Sequence, residues 1–175
     1  VFVDDGSTDD SIDKLKAAIE EETNCRIVKL SANFGRNSAL CAGLNYADGR
    51  YVGVLSADLQ YHPSQLLKLE NELGDKRLDM VAGYLSAEPT GKRLGDRMRY
   101  SLAVNGRLRD PICSLRIFSR KLIGRIKNYS GNTYNPLVDL PRLARLYKEV
   151  EVERTARKTG KNKVPRGVDA MPAQY

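Results

Sequence analysis

The chain has 175 residues, of which 41% are hydrophobic and 29% are charged, the composition of a globular domain large enough to bury its own core. It contains no run of about 18 apolar residues, which excludes a membrane-spanning helix within this sequence. The net charge of +7 is unevenly distributed, because residues 1–90 carry a net −6 and residues 91–175 a net +13.

Strands and helices are predicted to alternate along the chain. The short apolar runs that predict strands are Val1–Val3, Arg26–Leu30, Tyr51–Leu55, Met80–Gly83 and Leu115–Phe118. Helical periodicity covers Asp10–Glu22, Arg36–Ala47, Ser64–Leu73 and Lys92–Gly106, with a later helix near Leu140–Tyr147. Almost continuously apolar strands favour a mostly parallel α/β sheet covered by helices on both faces. We predict one domain over residues 1–164 and a tail or linker over 165–175.

The uneven charge, the three cysteines and the single histidine each indicate which kinds of protein function fit this sequence. An acidic half suits a metal or a ribose and a basic half suits phosphates or an anionic surface, although a solvated basic face explains the count equally well. Cys25, Cys41 and Cys113 are widely spaced, which predicts reduced, buried thiols in a cytosolic setting. His62 is the only histidine and is expected on a surface loop, which argues against a histidine-based metal site or catalytic triad.

The most informative segment is Val1–Ser11, with the sequence VFVDDGSTDDS. A short apolar strand ends there in two carboxylates, Asp4 and Asp5, and a Gly-Ser-Thr-Asp turn follows that would cap the next helix. Open α/β sheets bind their ligands at such strand ends. Because a domain rarely begins inside its first strand, we expect this sequence to be a fragment of a longer protein.

Polar clusters follow two further strands, NFGRN at residues 33–37 and SADLQ at residues 56–60. The carboxyl ends of parallel strands meet at one edge of a sheet, so all three clusters are predicted within reach of one ligand. If the last cluster stays extended, Asp58 and Gln60 project to the same side, and a carboxylate and an amide oxygen would share one hard cation. Such a cation would bridge the phosphates of a nucleotide and offset the charge on a departing diphosphate.

Four segments in order resemble family-2 glycosyltransferases of the GT-A fold, namely VFVDDGSTDDS, SANFGRNSALCAGLNYADG, YVGVLSADLQ and DMVAGY. Within that family the sequence is most similar to the polyprenyl-phosphate branch, the dolichyl-phosphate mannosyltransferases and bactoprenol glucosyltransferases. Downstream, RDPICSLRIFSRKLI resembles the branch's Asp…Arg…Arg segment, and RKTGKNKV resembles its late Gly-Lys-Ser-Lys segment. The resemblance implies a Rossmann-like, mostly parallel sheet flanked by helices, with the family's first strand outside this sequence.

The resemblance also implies roles for individual residues. Asp5 would bind the base or ribose of a nucleotide-sugar donor, and Asp58 and Gln60 would bind Mg²⁺ or Mn²⁺ on its diphosphate. The other residues implied on the donor side are Asp4, Ser7, Asn33, Gly35 and Arg36. The candidates for gripping phosphates of the donor or of a lipid acceptor are Arg116, Arg120, Lys161 and Lys163. The implied catalytic residues are Asp58, Asp110 and Arg116.

Two positions depart from the family pattern. Ser56 stands where the family's Asp-x-Asp-x-Gln motif has its first acid, and Leu85 stands where an arginine often follows the fourth strand. A serine hydroxyl is a poorer metal ligand than a carboxylate and leaves the site one negative charge short. Ser56 therefore predicts weaker metal affinity, a metal held mostly through waters, or a lost activity.

The type of acceptor is predicted from the base that it requires. A sugar hydroxyl needs a general base, whereas a phosphate monoester, with a second pKa of about 6, is largely ionised at neutral pH. The acidic pair that marks hydroxyl-acceptor relatives is absent after the fourth strand. Asp110 is either a base or an ion-pair partner of the arginines around it, Arg107, Arg109 and Arg116. A phosphate acceptor is therefore favoured.

We expect an inverting glycosyltransferase that moves a hexose from a UDP- or GDP-sugar to a polyprenyl phosphate at the cytoplasmic face of a membrane. The segment Lys92–Arg109 would either lie on the membrane surface or be an ordinary helix with a solvated basic face. Alternatives are a catalytically silent relative, a hydroxyl-acceptor glycosyltransferase of cell-surface polysaccharide synthesis, and a receiver domain phosphorylated on Asp58. A nucleic-acid-binding module is disfavoured because no aromatic stacking platform is visible.

Overall fold

A computed structural model describes residues 1–73, 77–86, 92–130 and 134–155 of the chain. The chain divides into two compact units, a first unit formed by Val1–Asp48 and a second unit that begins at Gly49. The strands are β1 (Phe2–Asp4), β2 (Ile27–Lys29), β3 (Tyr51–Val54), β4 (Met80–Tyr84), β5 (Arg116–Ser119) and β6 (Tyr147–Glu151). The helices are α1 (Ser11–Ala18), α2 (Arg36–Tyr46), α3 (Ser64–Asn71), α4 (Lys92–Ala103), α5 (Arg120–Ser130) and α6 (Pro136–Leu143).

The first unit is built on a parallel pair of strands. Val3 of β1 lies opposite Val28 of β2. Helix α2 packs on β1 so closely that a Cβ atom on Gly43 would lie 3.1 Å from the Val3 side chain. Ile12 of α1 and Leu44 of α2 are buried, so each helix directs an apolar side chain away from solvent. The parallel pairing brings the carboxyl ends of β1 and β2 to the same edge.

The second unit contains a four-stranded sheet in the order β3-β5-β4-β6. Strand β5 runs antiparallel to both of its neighbours, whereas β4 and β6 are parallel. Helix α3 packs against β4 and β5, and its Leu69 joins Val81 and Ile117 in the core. The sheet is therefore mixed, with its most buried strands in the middle.

The predicted α/β class is confirmed, with a correction to the direction of one strand. The strand predicted at Leu115–Phe118 is present as β5, but it is antiparallel rather than parallel. Its first three residues are buried, so side chains on both of its faces are covered, and such burial gives an apolar sequence whichever way the strand runs.

The helix predicted near Leu140–Tyr147 is wrong in its position. Helix α6 begins at Pro136 and ends at Leu143, and Tyr147 begins β6. The side chain of Asn135 caps α6 by accepting the backbone N–H of Leu137 at 3.1 Å, and proline is well suited to the first helical position. Helix α5 was not predicted, because it begins directly after β5 with no turn residue to separate the two patterns.

Asp79 is a buried carboxylate that joins several elements of the second unit and is 7% exposed. Its Oδ2 accepts hydrogen bonds from the Arg125 guanidinium at 3.2 Å and from the backbone N–H groups of Arg145 at 2.8 Å and Leu146 at 3.4 Å. Its own carbonyl accepts the N–H of Ser119 at 2.8 Å. Asp79 thereby ties the start of β4 to α5, to the end of β5 and to the turn that precedes β6.

Candidate functional site

The turn after β1 is held by the carboxylate of Asp4. Asp4 is buried, and both of its carboxylate oxygens lie within hydrogen-bonding distance of the backbone N–H of Ser7, at 3.3 and 3.1 Å. Gly6 lies between them with a φ of +72°, in the left-handed region that favours glycine. The Asp-Asp-Gly-Ser sequence therefore forms a tight turn at the sheet edge where ligand binding was predicted.

The carboxylate of Asp5 connects this turn to the beginning of α2. Its Oδ1 accepts the backbone N–H of Phe34 at 2.8 Å, and its Oδ2 accepts that of Gly35 at 3.0 Å. A negative charge at this position also compensates the positive end of the α2 dipole. Two of the three predicted clusters thus meet through direct hydrogen bonds, while the role of Asp5 in nucleotide binding stays a prediction.

The other residues predicted on the donor side surround this junction. Ser7, Asn33 and Arg36 are exposed, and Arg36 is the first residue of α2. The Asn33 side-chain oxygen accepts the N–H of Gly35 at 3.2 Å. Their side chains are accessible to a ligand, whereas the carboxylates of Asp4 and Asp5 hold the backbone in place.

Gly6 makes the junction sensitive to a single methyl group. A Cβ atom on Gly6 would lie 2.5 Å from the carbonyl carbon of Ala32 and 2.6 Å from the backbone nitrogen of Asn33. We therefore expect Gly6→Ala to lower the free energy of unfolding by about 2 kcal/mol, through the clash and the positive φ. Thermal denaturation followed by circular dichroism measures this change.

Gly124→Ala is the matched control, because nothing lies within 4 Å of a Cβ atom at that position inside α5. Alanine is the better helix former there, so this variant should unfold at the same temperature as the wild type or slightly above it. Equal unfolding temperatures for Gly6→Ala and Gly124→Ala would contradict the tight junction.

The segment after β3 holds the predicted metal ligands in a turn and not in the extended conformation that would project them to the same side. Leu59 has a φ of +58°, and the Asp58 Oδ1 accepts the backbone N–H of Gln60 at 3.2 Å. The Ser56 hydroxyl lies 3.4 Å from that of Ser114. The condition of an extended segment is therefore not met, because the hydrogen bond from Gln60 to Asp58 bends the chain between them. Asp58 and Gln60 are neighbours within one turn, and the placement of this turn beside the first two clusters stays a prediction.

Arg154 and Thr155, which are distant in the sequence, stabilise this turn through hydrogen bonds that the sequence analysis did not predict. A guanidinium nitrogen of Arg154 donates to the Gln60 Oε1 at 2.6 Å. The backbone N–H of Thr155 donates to the Gln60 carbonyl at 2.9 Å, and the Thr155 hydroxyl donates to the Leu59 carbonyl at 3.1 Å. No local sequence pattern predicts this contact, because the partners are more than 90 residues apart in sequence.

The donor set of this turn fits a hard divalent cation. Carboxylate, amide and hydroxyl oxygens are the ligands that Mg²⁺ and Mn²⁺ prefer. The Gln60 amide oxygen accepts from the Arg154 guanidinium, so a cation that binds this oxygen would take the place of that contact. In the described part of the chain, no three or more His, Cys, Asp or Glu side chains cluster as a metal site, so any metal here would depend on one carboxylate and neutral oxygens.

Asp110 and Arg116, both predicted to be catalytic, are buried in the second unit. The Asp110 carboxylate accepts the backbone N–H groups of Leu85 at 3.3 Å and Ile112 at 3.2 Å. The Arg116 side chain is 0% exposed, and its guanidinium donates to the backbone carbonyls of Leu137 and Pro111. These contacts give both residues a structural function, and their catalytic roles stay predictions.

The remaining phosphate-binding candidates differ in what is known of their positions. Arg120 is the first residue of α5, and its Nε donates to the Gly49 carbonyl at 3.3 Å. Lys161 and Lys163 lie outside the described residues. Their predicted contacts with phosphate groups are therefore considered below as part of a proposal.

Three titratable groups of the second unit are buried or half-buried. Burial raises the pKa of the Tyr61 hydroxyl, and the neighbouring Cys113 thiol raises it further. Burial also raises the pKa of Cys113, so both groups are protonated at neutral pH and neither is a ready base or nucleophile. Burial raises the pKa of Glu149 as well, against the opposing hydrogen bond from the Arg109 N–H at 2.8 Å. Glu149 is a half-buried carboxylate that the sequence did not single out.

The predicted burial of the cysteines holds for Cys41 and Cys113, while Cys25 is only half-buried. All three are free cysteines, and their reduced state in the cell stays a prediction. Among the helices in the described ranges, none combines the length and apolar character needed to cross a membrane.

The fold is similar to that of solved glycosyltransferases. TarS of S. aureus in complex with UDP-GlcNAc superposes with a TM-score of 0.61 at 14% identity, covering 91% of this chain and 49% of that protein. Glucosyl-3-phosphoglycerate synthase of Mycobacterium tuberculosis, in complex with Mn²⁺, UDP-glucose and phosphoglyceric acid, gives a TM-score of 0.56 at 18% identity, covering 90% of this chain and 60% of that one. At these identities the similarity establishes the fold, which is the predicted GT-A fold.

The sequence has closer relatives among curated proteins. It is 32% identical to the undecaprenyl-phosphate 4-deoxy-4-formamido-L-arabinose transferase of Serratia proteamaculans, over 93% of this chain and 52% of the relative. It is 33% identical to the dodecaprenyl-phosphate galacturonate synthase of Rhizobium johnstonii, over 73% of this chain and 40% of the relative. The chain thus spans about half the length of these relatives. Because residues 1–128 also match the family described as glycosyl transferase family 2, the chain belongs to that family.

Proposed function

We propose that the protein containing this chain transfers a hexose, with inversion, from a UDP- or GDP-sugar to a polyprenyl phosphate. The observation that carries the proposal is the turn after β3, where the Gln60 backbone N–H donates to the Asp58 carboxylate and brings the two residues into one turn. The names of the two curated relatives, which specify undecaprenyl and dodecaprenyl phosphate, support the choice of acceptor. The cytoplasmic face of a membrane is the proposed location, because the acceptor is a lipid.

On the donor side, Asp58 and Gln60 would hold Mg²⁺ or Mn²⁺, and Ser56 would contribute at most a neutral hydroxyl. The cation, when bound, offsets the charge that develops on the departing nucleoside diphosphate. Gln60 would bind the cation only after its amide oxygen gives up the hydrogen bond from Arg154. The Arg154 guanidinium would then remain beside the site and could bind a phosphate. Asp5 and the exposed Ser7, Asn33 and Arg36 would bind the nucleoside.

On the acceptor side, an ionised phosphate monoester is the nucleophile and needs no proton removed. Its second pKa of about 6 leaves it largely dianionic at neutral pH. Arg120, Lys161 and Lys163 would supply positive charge for phosphates of the donor or the acceptor, while Asp110 and Arg116 would keep the loop and β5 in position. The absence of a required base agrees with the engagement of Asp110 by two backbone amides.

A donor panel tests the proposal. Full-length protein is incubated with Mn²⁺, a polyprenyl phosphate and each of several UDP- and GDP-sugars, and release of nucleoside diphosphate is measured. We expect release with at least one donor, dependent on both metal and lipid phosphate. Release with a sugar hydroxyl acceptor in place of the lipid would favour the hydroxyl-acceptor alternative, and no donor binding would overturn the proposal.

A second candidate, a catalytically silent relative, is favoured by the serine at position 56. Ser56→Asp restores the acid that the family motif has there, and we expect it to tighten Mn²⁺ binding about tenfold because a second carboxylate joins the turn. Titration with Mn²⁺ by electron paramagnetic resonance measures this directly, and nucleoside diphosphate release gives turnover.

Ser11→Asp is the control for Ser56→Asp, because it adds the same charge at the start of α1 in the first unit. It should leave Mn²⁺ affinity within about twofold, since an exposed charge outside the turn is screened. A wild type without turnover that Ser56→Asp activates would identify the silent relative. Comparable turnover in both proteins would support the active enzyme.

A further inference from the structure

The side chains of Arg154 and Gln60 are joined by a hydrogen bond on the turn after β3. A guanidinium nitrogen of Arg154 donates to the Gln60 Oε1 at 2.6 Å. This hydrogen bond pairs a full positive charge with a neutral amide oxygen, so it does not itself neutralise the guanidinium. Arg154 is exposed and Gln60 is half-buried. A ligand from solvent can therefore reach both the positive charge and the amide oxygen.

The backbone on either side of Arg154 is fixed by other hydrogen bonds. The N–H of Val152 donates to the Tyr84 carbonyl at 2.9 Å, and Val152 is 3% exposed. On the other side, the N–H of Thr155 donates to the Gln60 carbonyl at 2.9 Å. The backbone at Arg154 is therefore held without its own side chain. That side chain can leave Gln60, or be replaced, while the turn keeps its backbone contacts.

A divalent cation on the Gln60 amide oxygen would lie close to the Arg154 guanidinium. Mg²⁺ binds oxygen at about 2.1 Å, so a cation and a guanidinium nitrogen that share this oxygen are within about 5 Å of each other. Two positive charges at that separation repel each other near a protein surface. Binding of the cation alone is therefore opposed, because the cation must either displace the guanidinium or stay beside it despite the repulsion.

A diphosphate reverses the sign of this interaction. Its oxygens attract the guanidinium, which is suited to bidentate phosphate binding, and they attract the divalent cation as well. When the anion compensates both positive charges, they no longer oppose each other, and each strengthens the binding of the anion. The cation and the diphosphate then favour each other's binding by the same factor in both directions.

We propose that Arg154 makes cation binding at the turn after β3 depend on a nucleoside diphosphate, because it opposes the cation alone and supports the two together. This inference rests on the proposed function, in which the same turn holds the cation on the donor's diphosphate. The segment RKTGKNKV, whose resemblance to the family implied phosphate-binding residues, begins three residues after Arg154. Arg154 is therefore an additional binding residue, and the turn takes up its cation together with the nucleotide.

Two affinities that change in opposite directions test the inference. Full-length wild type and Arg154→Ala are titrated with Mn²⁺ alone by electron paramagnetic resonance, and with UDP and GDP at saturating Mn²⁺ by calorimetry. Arg154→Ala should bind Mn²⁺ alone about fivefold more tightly, and the better of the two nucleotides at least about tenfold more weakly. Arg154→Lys keeps the positive charge, so both of its affinities should lie between those of the wild type and Arg154→Ala. A purely structural role would weaken both affinities in Arg154→Ala, and that result would overturn the inference.

The double variant Gln60→Ala/Arg154→Ala separates the shared oxygen from a general effect of charge. In the Gln60→Ala background, Arg154→Ala should change the affinity for Mn²⁺ alone by less than about twofold, because no oxygen is contested. Arg142→Ala is the matched control, since it removes the same charge from a side chain of α6 that is 46% exposed. It should leave both affinities within about twofold, and circular dichroism should show all variants folded. An undiminished effect of Arg154→Ala without Gln60, or an equal effect of Arg142→Ala, would overturn the inference.

Turnover separates this inference from the proposed function. Opposite shifts of the two affinities, without sugar transfer to any acceptor, would leave the coupling intact and refute the transferase. Sugar transfer to a polyprenyl phosphate without the opposite shifts would refute the coupling and leave the transferase intact. If neither the wild type nor Arg154→Ala binds Mn²⁺, the inference is overturned whatever the turnover.

Discussion

Asp58→Asn should lower the rate of nucleoside diphosphate release about 10³-fold, the magnitude expected when the main electrostatic stabilisation of a developing negative charge is removed. Asp58 is the only carboxylate in the turn of residues 56–60, because Ser56 occupies the other acidic position of the family motif. Its loss leaves only neutral oxygens for a divalent cation. Asparagine keeps a side-chain oxygen that still accepts the Gln60 N–H, so the turn is preserved and the effect isolates the charge.

The measurement pairs turnover with a direct Mn²⁺ titration. Mn²⁺ affinity should fall together with turnover, and higher metal concentration should recover only part of the rate. Asp13→Asn removes a carboxylate that is 83% exposed on α1, and it should leave both quantities unchanged. If Asp58→Asn binds Mn²⁺ as well as the wild type does, the metal does not lie on this turn.

Asp79→Asn should lower the free energy of unfolding by about 3 kcal/mol at neutral pH. One carboxylate oxygen accepts from the Arg125 guanidinium and from the N–H groups of Arg145 and Leu146. The asparagine oxygen can take the place of Oδ2, but the amide carries no charge to compensate Arg125 or to strengthen the hydrogen bonds from the two backbone N–H groups. Urea denaturation at several pH values measures the effect.

The pH dependence of this difference has a definite sign. Burial raises the pKa of Asp79, but the backbone hydrogen bonds from Arg145 and Leu146 and the charge of Arg125 outweigh it, so the pKa is lowered overall. A carboxylate with a lowered pKa stabilises the fold fully above its unfolded-state pKa of about 4, and the effect is lost as the pH falls through the folded value. The wild type should therefore exceed Asp79→Asn in stability at pH 7 and converge with it in strong acid.

Asp10→Asn provides the surface comparison for Asp79→Asn. Asp10 pairs with Lys14 at 2.8 Å, but its side chain is 67% exposed. An exposed pair of this kind contributes less than about 1 kcal/mol. A similar loss of stability for both variants at pH 7 would mean that Asp79 is not the junction that its contacts indicate.

The features that could be predicted from the sequence are those carried by local patterns. The strand that ends in Asp4 and Asp5, the turn at Gly6 and the start of α2 at Arg36 all lie where apolar runs, glycines and capping residues indicated. Each depends on neighbours within a few positions, and such signals are visible in a single sequence. The meeting of the first two clusters followed from the parallel direction of β1 and β2.

The features that could not be predicted depend on partners distant in the chain. The residues around Gln60 do not predict its hydrogen bond from Arg154. The residues around Arg116 do not predict that its guanidinium donates to backbone carbonyls inside the core. The resemblance implied that Arg116 is a candidate for binding phosphate, a role that would need an accessible guanidinium. Arg116 instead satisfies backbone carbonyls in the interior, a function that its residue type and spacing alone do not reveal.

The position of β5 also determines the order in which the second unit can assemble. Strands β3 and β4 do not pair with each other, because β5 lies between them and hydrogen-bonds to both. During synthesis β3 and β4 therefore emerge before the strand that joins them, and the sheet can form only after residues 116–119 of β5 have been made. Pairing over such sequence distances is slow and leaves edges open to other chains. The second unit is thus expected to fold late, and truncation before β5 should yield an aggregating fragment rather than a smaller domain.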